Sequence, residues 1–355
     1  MSEARKILDV KDLNVTFRTE NGKMRVIRGV NFDLRKGETL AIVGESGSGK
    51  SVTVKTIMGI IDKNEKIESG EILFTYEENG KEKTVDLSKY SKQKIVSEIC
   101  GQRIAMVFQD PMTSLNPVMT IGSQVMEGMI AHQHISKEEA HKRAVALLDS
   151  VGIVNPESRM KDYPHQLSGG MRQRVVIAIA LACDPEVLIC DEPTTALDVT
   201  IQARILELIQ KMQKERNLSI IYITHDLGVV AKVADKVAVM YAGKFVEVGT
   251  AEEVFYDPRH PYTWGLLSAI PDIGATTQRL YTIPGSPPDL TKPIKGDAFA
   301  ARNEFALQID FEEEPPMFQI TDTHYAATWL LHPYAPKVEM PEQLKSRIEK
   351  IKELR

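Results

Sequence analysis

Eight residues, Gly44-Glu45-Ser46-Gly47-Ser48-Gly49-Lys50-Ser51, have the types and spacing to hold a chain of phosphates. They match the pattern GxxxxGK[ST] at every position. The glycines let successive backbone N–H groups turn inward around anionic oxygens, and Lys50 adds a point positive charge. The helix expected behind the loop favours an anion at its N-terminus. The Ser51 hydroxyl is placed to ligate Mg²⁺. A glycine turn arising by chance is the plain alternative. The context, after a strand and before a helix, is the one a phosphate loop requires.

Two carboxylates supply the next piece of chemistry. Asp191 and Glu192 follow the apolar run VLIC. In a parallel sheet, ligands bind beyond the carboxyl ends of the strands. Beside a phosphate loop, Asp191 would hold Mg²⁺ through water, and Glu192 would orient and polarise the attacking water. Phosphoryl transfer is catalysed mostly by such positioning and charge stabilisation. Without the loop, the same pair would read as two solvated acids at a strand end. His225 closes the run SIIYITH, where it could bond a γ-phosphate and tie it to Glu192. Taken alone, it reads equally well as a surface histidine. Gln109 closes the run 104–108, and its amide could meet both Mg²⁺ and water.

A second glycine motif, Leu167-Ser168-Gly169-Gly170-Met171-Arg172-Gln173-Arg174, opens another helix. Ser168 is a good N-cap, and the glycines leave the first N–H groups open to an anion. One nucleotide has no use for two distant cradles in one fold. Two chains of this type could each supply half of a shared site.

These residues need strands and helices to hold them. Residues 7–34 alternate apolar and polar runs around the turn signal Asn21-Gly22, which predicts paired strands. Residues 38–43, 71–76 and 104–108 read as further strands, and 51–61 as the helix behind the loop. Residues 115–165 read as a helical insertion, with a helix over 137–151. Residues 168–182 are apolar on nearly all sides, which predicts a buried helix. The continuous apolar runs 187–190 and 219–224 suit strands buried on both faces, with a helix at 200–215 between them. Residues 237–248 read as a hairpin turning at Ala242-Gly243. Residues 271–341 are rich in Pro and Gly. The last stretch, 341–355, puts Leu344, Ile348, Ile351 and Leu354 on one helical face, expected to dock on protein and not on lipid.

The bulk composition narrows the class. A net charge of −5 over 355 residues shows no basic excess in the totals for a nucleic-acid surface, although a local patch could hide inside such a sum. Cys100, Cys183 and Cys190 have no CxxC spacing, which argues against a zinc ribbon or a disulfide framework and fits a reducing compartment. The most apolar run, 175–183, is far short of the ~20 residues a membrane-spanning helix needs. The N-terminus carries no apolar signal core. A role at a membrane must therefore come through partners.

LSGGMRQR resembles the signature of ATP-binding cassette (ABC) proteins. GESGSGKS, VLICDE, Thr195-Ala196-Leu197-Asp198 and His225 stand in the order that family has, over residues 5–260. The resemblance implies an α/β fold: a P-loop NTPase (RecA-like) core, an N-terminal antiparallel β subdomain, a helical subdomain at about 115–170 and a loop-rich C-terminal extension. It places the ATPase domain at 1–262 and the extension at 263–355. It implies a head-to-tail dimer with ATP between the phosphate loop of one domain and the LSGG of the other. ATP would then meet Phe17, which keeps the ring face that stacks on adenine, and residues Gly44, Glu45, Ser46, Gly47, Ser48, Gly49, Lys50, Ser51 and Val52. Ser168, Gly169, Gly170 and Gln173 would serve the facing site, and Asp198 resembles the residue linking the two. Glu192, His225, Gln109 and Lys50 are the expected catalytic set. Ser51, Gln109 and Asp191 are the expected Mg²⁺ ligands.

QDPMTSLNPVMTIG at 109–122, HPYTWGLL at 260–267 and IPGSPPDL at 283–290 are similar to oligopeptide and dipeptide permease ATPases, the last to the D-type subunit. That implies an importer ATPase at the cytoplasmic face of the membrane. Its expected partners are two membrane-spanning permease subunits, an F-type ATPase and an external peptide-binding protein, with no nucleic acid. Many relatives carry four tail cysteines thought to hold an iron–sulfur cluster. The corresponding positions here are Asp297, Asn303, Asp310 and Thr328. None replaces a thiolate, so no cluster is expected and the tail must hold its shape by packing alone. The competing class is a non-transport ABC protein acting on nucleic acid or the ribosome. Those usually carry two cassettes, zinc cysteines or long coiled coils, and this sequence has none of these. Exporters often fuse a membrane domain to the cassette.

Overall fold

The apolar runs sort into two sheets according to whether they alternate or run unbroken. The computed structural model describes residues 5–20, 22–78, 80–194, 198–270 and 282–353. The chain opens with β1 (Lys6–Thr19) and β2 (Gly22–Arg35), sends β3 (Thr39–Val43) into a second sheet, then returns with β4 (Glu65–Glu78) and β5 (Lys81–Asp86). The first sheet is antiparallel, in the order β2-β1-β4-β5. Thr19 pairs with Gly22, so the turn falls where the sequence signals it. Asn21 itself lies outside the described residues. The lone strand expected over 71–76 is the middle of the longer β4, and β5 had no clear apolar signal because its residues are mostly exposed.

The second sheet takes the unbroken runs. It adds β6 (Ile104–Val107), β7 (Val187–Asp191), β8 (Ser219–Thr224), β9 (Lys236–Tyr241), β10 (Lys244–Thr250), β11 (Phe318–Gln319) and β12 (Tyr325–Ala326). Its order is β11-β12-β10-β9-β3-β8-β7-β6. From β9 to β6 all neighbours are parallel. β3, β7 and β8 are buried at every residue, as strands covered on both faces must be. The carboxyl ends of β3, β8, β7 and β6 therefore stand in a row, and the groups that follow them share one edge.

The helix behind the phosphate loop spans Lys50–Ile57 and is shorter than expected. Met58 caps it, and Gly59 (φ +61°) turns the chain away. The helical insertion contains Ile121–Gln133 and Lys137–Ser150, N-capped by Thr120 and Ser136, and packs on the helix Gly169–Leu181. β9 and β10 join through Ala242 (φ +44°) and Gly243 (φ +83°), a two-residue turn with both residues left-handed. A Cβ at Gly243 would lie 2.3 Å from the Val26 carbonyl oxygen, so the turn seats only glycine.

The C-terminal part is built into the cassette and does not hang from it. The border expected between 262 and 263 falls inside the helix Pro261–Ser268. β12 pairs with β10, so the extension adds two strands to the central sheet. Phe299, Leu344 and Ile348 share one core with Ala41 and Val43 of β3. The last helix, Glu342–Glu353, buries Leu344 and Ile348, while Ile351 is 37% exposed and Leu354 lies outside the described residues. Two of the four expected positions thus make the protein contact. Arg347 strengthens it by donating to the carbonyls of Leu267 (3.3 Å) and Ile270 (2.8 Å).

Packing alone does not hold this region, contrary to expectation. Asp297, Asn303, Asp310 and Thr328 are all buried. Each accepts a backbone N–H with its side-chain oxygen: Asp297 from Phe299 (2.9 Å), Asn303 from Phe305 (3.0 Å), Asp310 from Leu307 (2.6 Å) and Thr328 from Leu330 (3.3 Å). Short polar side chains stapling turns explain why a chain with so little regular structure stays in one shape.

One of these groups has a measurable cost. Burial pushes the Asp297 carboxyl up to about 6, helped by the charges of Asp310 and Glu314 and opposed by the Phe299 N–H. A carboxyl raised in the folded state favours folding fully only below its ordinary value of 3.8, and that contribution is lost as pH rises through about 6. Asp297→Asn keeps the accepting oxygen and removes the charge. It should stabilise the protein by about 2 kcal/mol at pH 7.5, the gain fading toward pH 4.5. Urea unfolding at the two pH values checks this. A gain that does not change with pH contradicts it.

Candidate nucleotide site

The phosphate loop leaves β3 and closes on itself around one buried cation. A Cβ at Gly44 (φ +151°) would stand 2.1 Å from the Met240 carbonyl oxygen, so only glycine lets the loop pass β9. Lys50 is 5% exposed. Its Nζ donates to the carbonyls of Gly44 (2.8 Å) and Glu45 (2.9 Å), drawing the loop into a ring. Burial lowers the pKa of Lys50, against the pull of Glu192, Asp191 and Glu45. Gly49 caps the following helix and brings no side-chain bond, which leaves the first-turn N–H groups for an anion.

The strand ends bring the remaining groups to this loop. Ser51 Oγ donates to Asp191 Oδ1 at 2.8 Å, across 140 residues of sequence. Asp191 is buried, and that burial raises its pKa; the Ser51 bond and the charges of Lys55 and Lys50 oppose the rise, while Glu192 adds to it. A buried carboxylate beside a hydroxyl suits a hard cation such as Mg²⁺, which takes one or two carboxylates with waters and phosphate oxygens. Glu192 Oε2 accepts Gln109 Nε2 at 2.9 Å, and Oε1 lies 3.2 Å from His225 Nδ1. Glu192 itself is left-handed (φ +47°), with its N–H held by the Ile223 carbonyl at 2.9 Å. A glutamate kept there costs about 1–3 kcal/mol, a strain typical of functional positions. Gln109, Glu192 and His225, from three different strand ends, thus form one hydrogen-bonded group, which stands beside the Ser51–Asp191 pair.

The other expected residues fall into two sets. Phe17, on β1, is half-buried on the apolar cluster that also receives Val52. Ser168 and Gly169 are exposed at the start of the helix Gly169–Leu181, where Ser168 accepts the Met171 N–H. Gly170 is buried, and a Cβ there would meet Ile201 at 2.9 Å. Gln173 is 0% exposed, one turn beyond Gly170 on the inward face of the same helix, while Ser168 and Gly169 lie at the surface. Asp198 caps the helix Val199–Arg216 by accepting the Ile201 N–H at 2.9 Å. Residues Thr195, Ala196 and Leu197 lie outside the described residues.

Comparison with known proteins decides the family. A family model described as ABC transporter matches residues 27–195, which span the phosphate loop, the signature and both acids. A second, described as the C-terminal region of oligopeptide/dipeptide transporters, matches residues 246–309. The chain is 59% identical to the oligopeptide transport ATP-binding protein OppD of Bacillus subtilis, over 99% of this chain and 96% of that protein. The chain belongs to the ABC transporter ATP-binding proteins. It is 58% identical to the dipeptide transport ATP-binding protein DppD of Lactococcus lactis, over 99% of this chain and 98% of that protein. Among solved structures it resembles the ATP-binding cassette MJ0796, captured as a dimer after hydrolysis with ADP and Pi. That match has 27% identity and a TM-score of 0.59, over 69% of this chain and 98% of that one. The share of this chain left uncovered is consistent with an extension that the bare cassette lacks.

The C-terminal region of this ABC protein, matched over residues 246–309, reaches the site itself, which the sequence reading missed. Tyr262 Oη accepts the Glu45 N–H at 2.8 Å, and Arg302 bonds the Glu45 carboxylate. Tyr262 lies in HPYTWGLL, noticed only as a mark of the subfamily. Arg302 lies 257 residues from Glu45, and no local pattern announces such a contact.

Proposed function

We propose that this chain is the D-type ATP-hydrolysing subunit of an importer for oligopeptides or dipeptides. The observation that carries the reading is the joined group Gln109, Glu192 and His225 beside the Ser51–Asp191 pair, in a chain nearly collinear with peptide-transport relatives. ATP lies on this chain's phosphate loop under the signature motif of a facing F-type domain, and Ser168 and Gly169 of this chain cover the ATP on that domain's loop. The dimeric cassette with ADP and Pi supports that arrangement.

In this reading Lys50 and the loop N–H groups hold the phosphates. Glu192 accepts a proton from the attacking water, His225 fixes Glu192 from one side, and Gln109 orients the water from the other. Phe17 offers a ring face to adenine. Ser51, Asp191 and Gln109 would hold Mg²⁺, which when bound neutralises charge on the phosphate oxygens. No helix among the described residues is long and apolar enough to cross a membrane. In this reading the chain works from the cytoplasmic face, on two permease subunits fed by an external binding protein.

The test is purification of the tagged chain from membranes in mild detergent. Two membrane-spanning proteins and a second ATPase should co-purify. Recovery of ribosomes or nucleic acid in their place would overturn the transport reading.

A further inference from the structure

Three segments of the C-terminal part converge on the outer side of the phosphate loop, and two of them grip one residue there. Tyr262 Oη takes the Glu45 N–H at 2.8 Å. Arg302 donates through both terminal nitrogens to the Glu45 carboxylate, at 2.6 and 2.9 Å. Pro287, Pro288 and Leu290, from the IPGSPPDL stretch, face the backbone of Glu45 to Ser48 across a small cleft. Arg302 is itself fixed: Nε donates to the Pro284 carbonyl at 2.8 Å and Nη1 to Tyr241 Oη at 3.2 Å. Its side chain is only 5% exposed, and that of Glu45 is 28% exposed, so the pair is partly shielded from solvent.

Lys50 holds the carbonyl of Glu45 from inside the loop. Tyr262 and Arg302, from the C-terminal region, hold the N–H and the carboxylate of the same residue from outside. A paired guanidinium–carboxylate contact fixes direction as well as distance. The phosphate loop is thus shaped by the cassette and the extension together.

We propose that Arg302, with Tyr262, is a positioning residue for the phosphate loop, and that the extension thereby sets the affinity for ATP. The proposal rests on the reading of this loop as the ATP site. Its predicted effect is on binding more than on rate. Glu45 is gripped on the loop's outer side, while the hydrolytic group is Glu192, bonded to Gln109 and His225. The loop holds the phosphates in ground and transition states alike, and loss of such uniform binding raises KM while kcat stays.

The test uses the full-length chain and measures equilibrium binding of ATP, with steady-state ATPase kinetics beside it. Arg302→Ala should raise the Kd for ATP by about tenfold with kcat within about twofold of the parent. Arg302→Lys keeps the charge and loses the fork, so it should restore only part of the affinity. Combining Arg302→Ala with Glu45→Ala should weaken binding no further than the weaker single variant, because both remove one contact. Tyr262→Phe reads the same brace from the other bond should Arg302→Ala fail to fold, and it should also raise Kd. Unchanged Kd in a folded variant, full rescue by lysine, or additive losses in the double variant overturn the proposal. Failure of the parent chain to bind ATP overturns the nucleotide reading instead.

Discussion

Glu192→Gln should abolish ATP turnover, by about 10²–10⁴-fold in kcat, while ATP still binds. The substitution keeps shape and removes only the charge that accepts a proton. The surroundings of Glu192 make the effect large. Its two oxygens are spoken for by Gln109 at 2.9 Å and His225 at 3.2 Å, so the carboxylate has one orientation. Its backbone sits at φ +47°, where an ordinary residue is strained, and the Ile223 carbonyl keeps it there. A strained and doubly tethered carboxylate is costly to maintain for a merely structural role. Its bonds to Gln109 and His225 tie it to two other strand ends, whereas Asp191 bonds Ser51 of the phosphate loop directly. ATP affinity should therefore change less than about threefold, which equilibrium binding measures beside the loss of phosphate release. Near-normal turnover in this variant would remove Glu192 from the chemistry and leave Asp191 as the candidate.

What the sequence made legible follows the range of each interaction. The phosphate loop, the acids and His225 could be read because each ends an unbroken apolar run, and parallel strands deliver whatever follows them to a common edge. The strand order that joins Gln109 to Glu192 was not in the runs themselves, but any order placing β3, β8, β7 and β6 together serves. Gln173 shows the opposite limit. The motif put it beside Ser168, yet helical spacing turns it inward, and only the packing of the helix Gly169–Leu181 reveals that. The extension was least legible. Its turns are stapled by Asp297, Asn303, Asp310 and Thr328, residues whose sequence merely looks polar and loop-like. The contact from Arg302 to Glu45 depends on two segments meeting after the whole sheet is built.

Lys50→Ala should weaken ATP binding by about 100-fold or more, a loss of the opposite kind from that of Glu192→Gln. Lys50 does two things at once. It closes the loop by donating to the carbonyls of Gly44 and Glu45, and it places a positive charge, 5% exposed, where phosphate oxygens must come. Two of its three donors serve the loop, and the third is what an incoming phosphate oxygen takes. Alanine takes the Lys50 donor from both carbonyls, leaving the Glu45 carbonyl with the Ser48 N–H at 3.2 Å, and removes the charge, so the cradle is loosened and its field is lost. Lys50→Arg should fail nearly as badly, because a planar fork cannot replace a compact ammonium inside a ring of carbonyls. The loop in Lys50→Ala still has its outer grip from Arg302 and Tyr262, so the fold itself should persist, and thermal unfolding without nucleotide should shift by only a few degrees. The protection that ATP gives the parent against thermal unfolding should vanish. Persistent ATP protection in Lys50→Ala would mean that the outer brace and the helix N-terminus suffice to bind the phosphates, and the lysine would then have to act in hydrolysis alone.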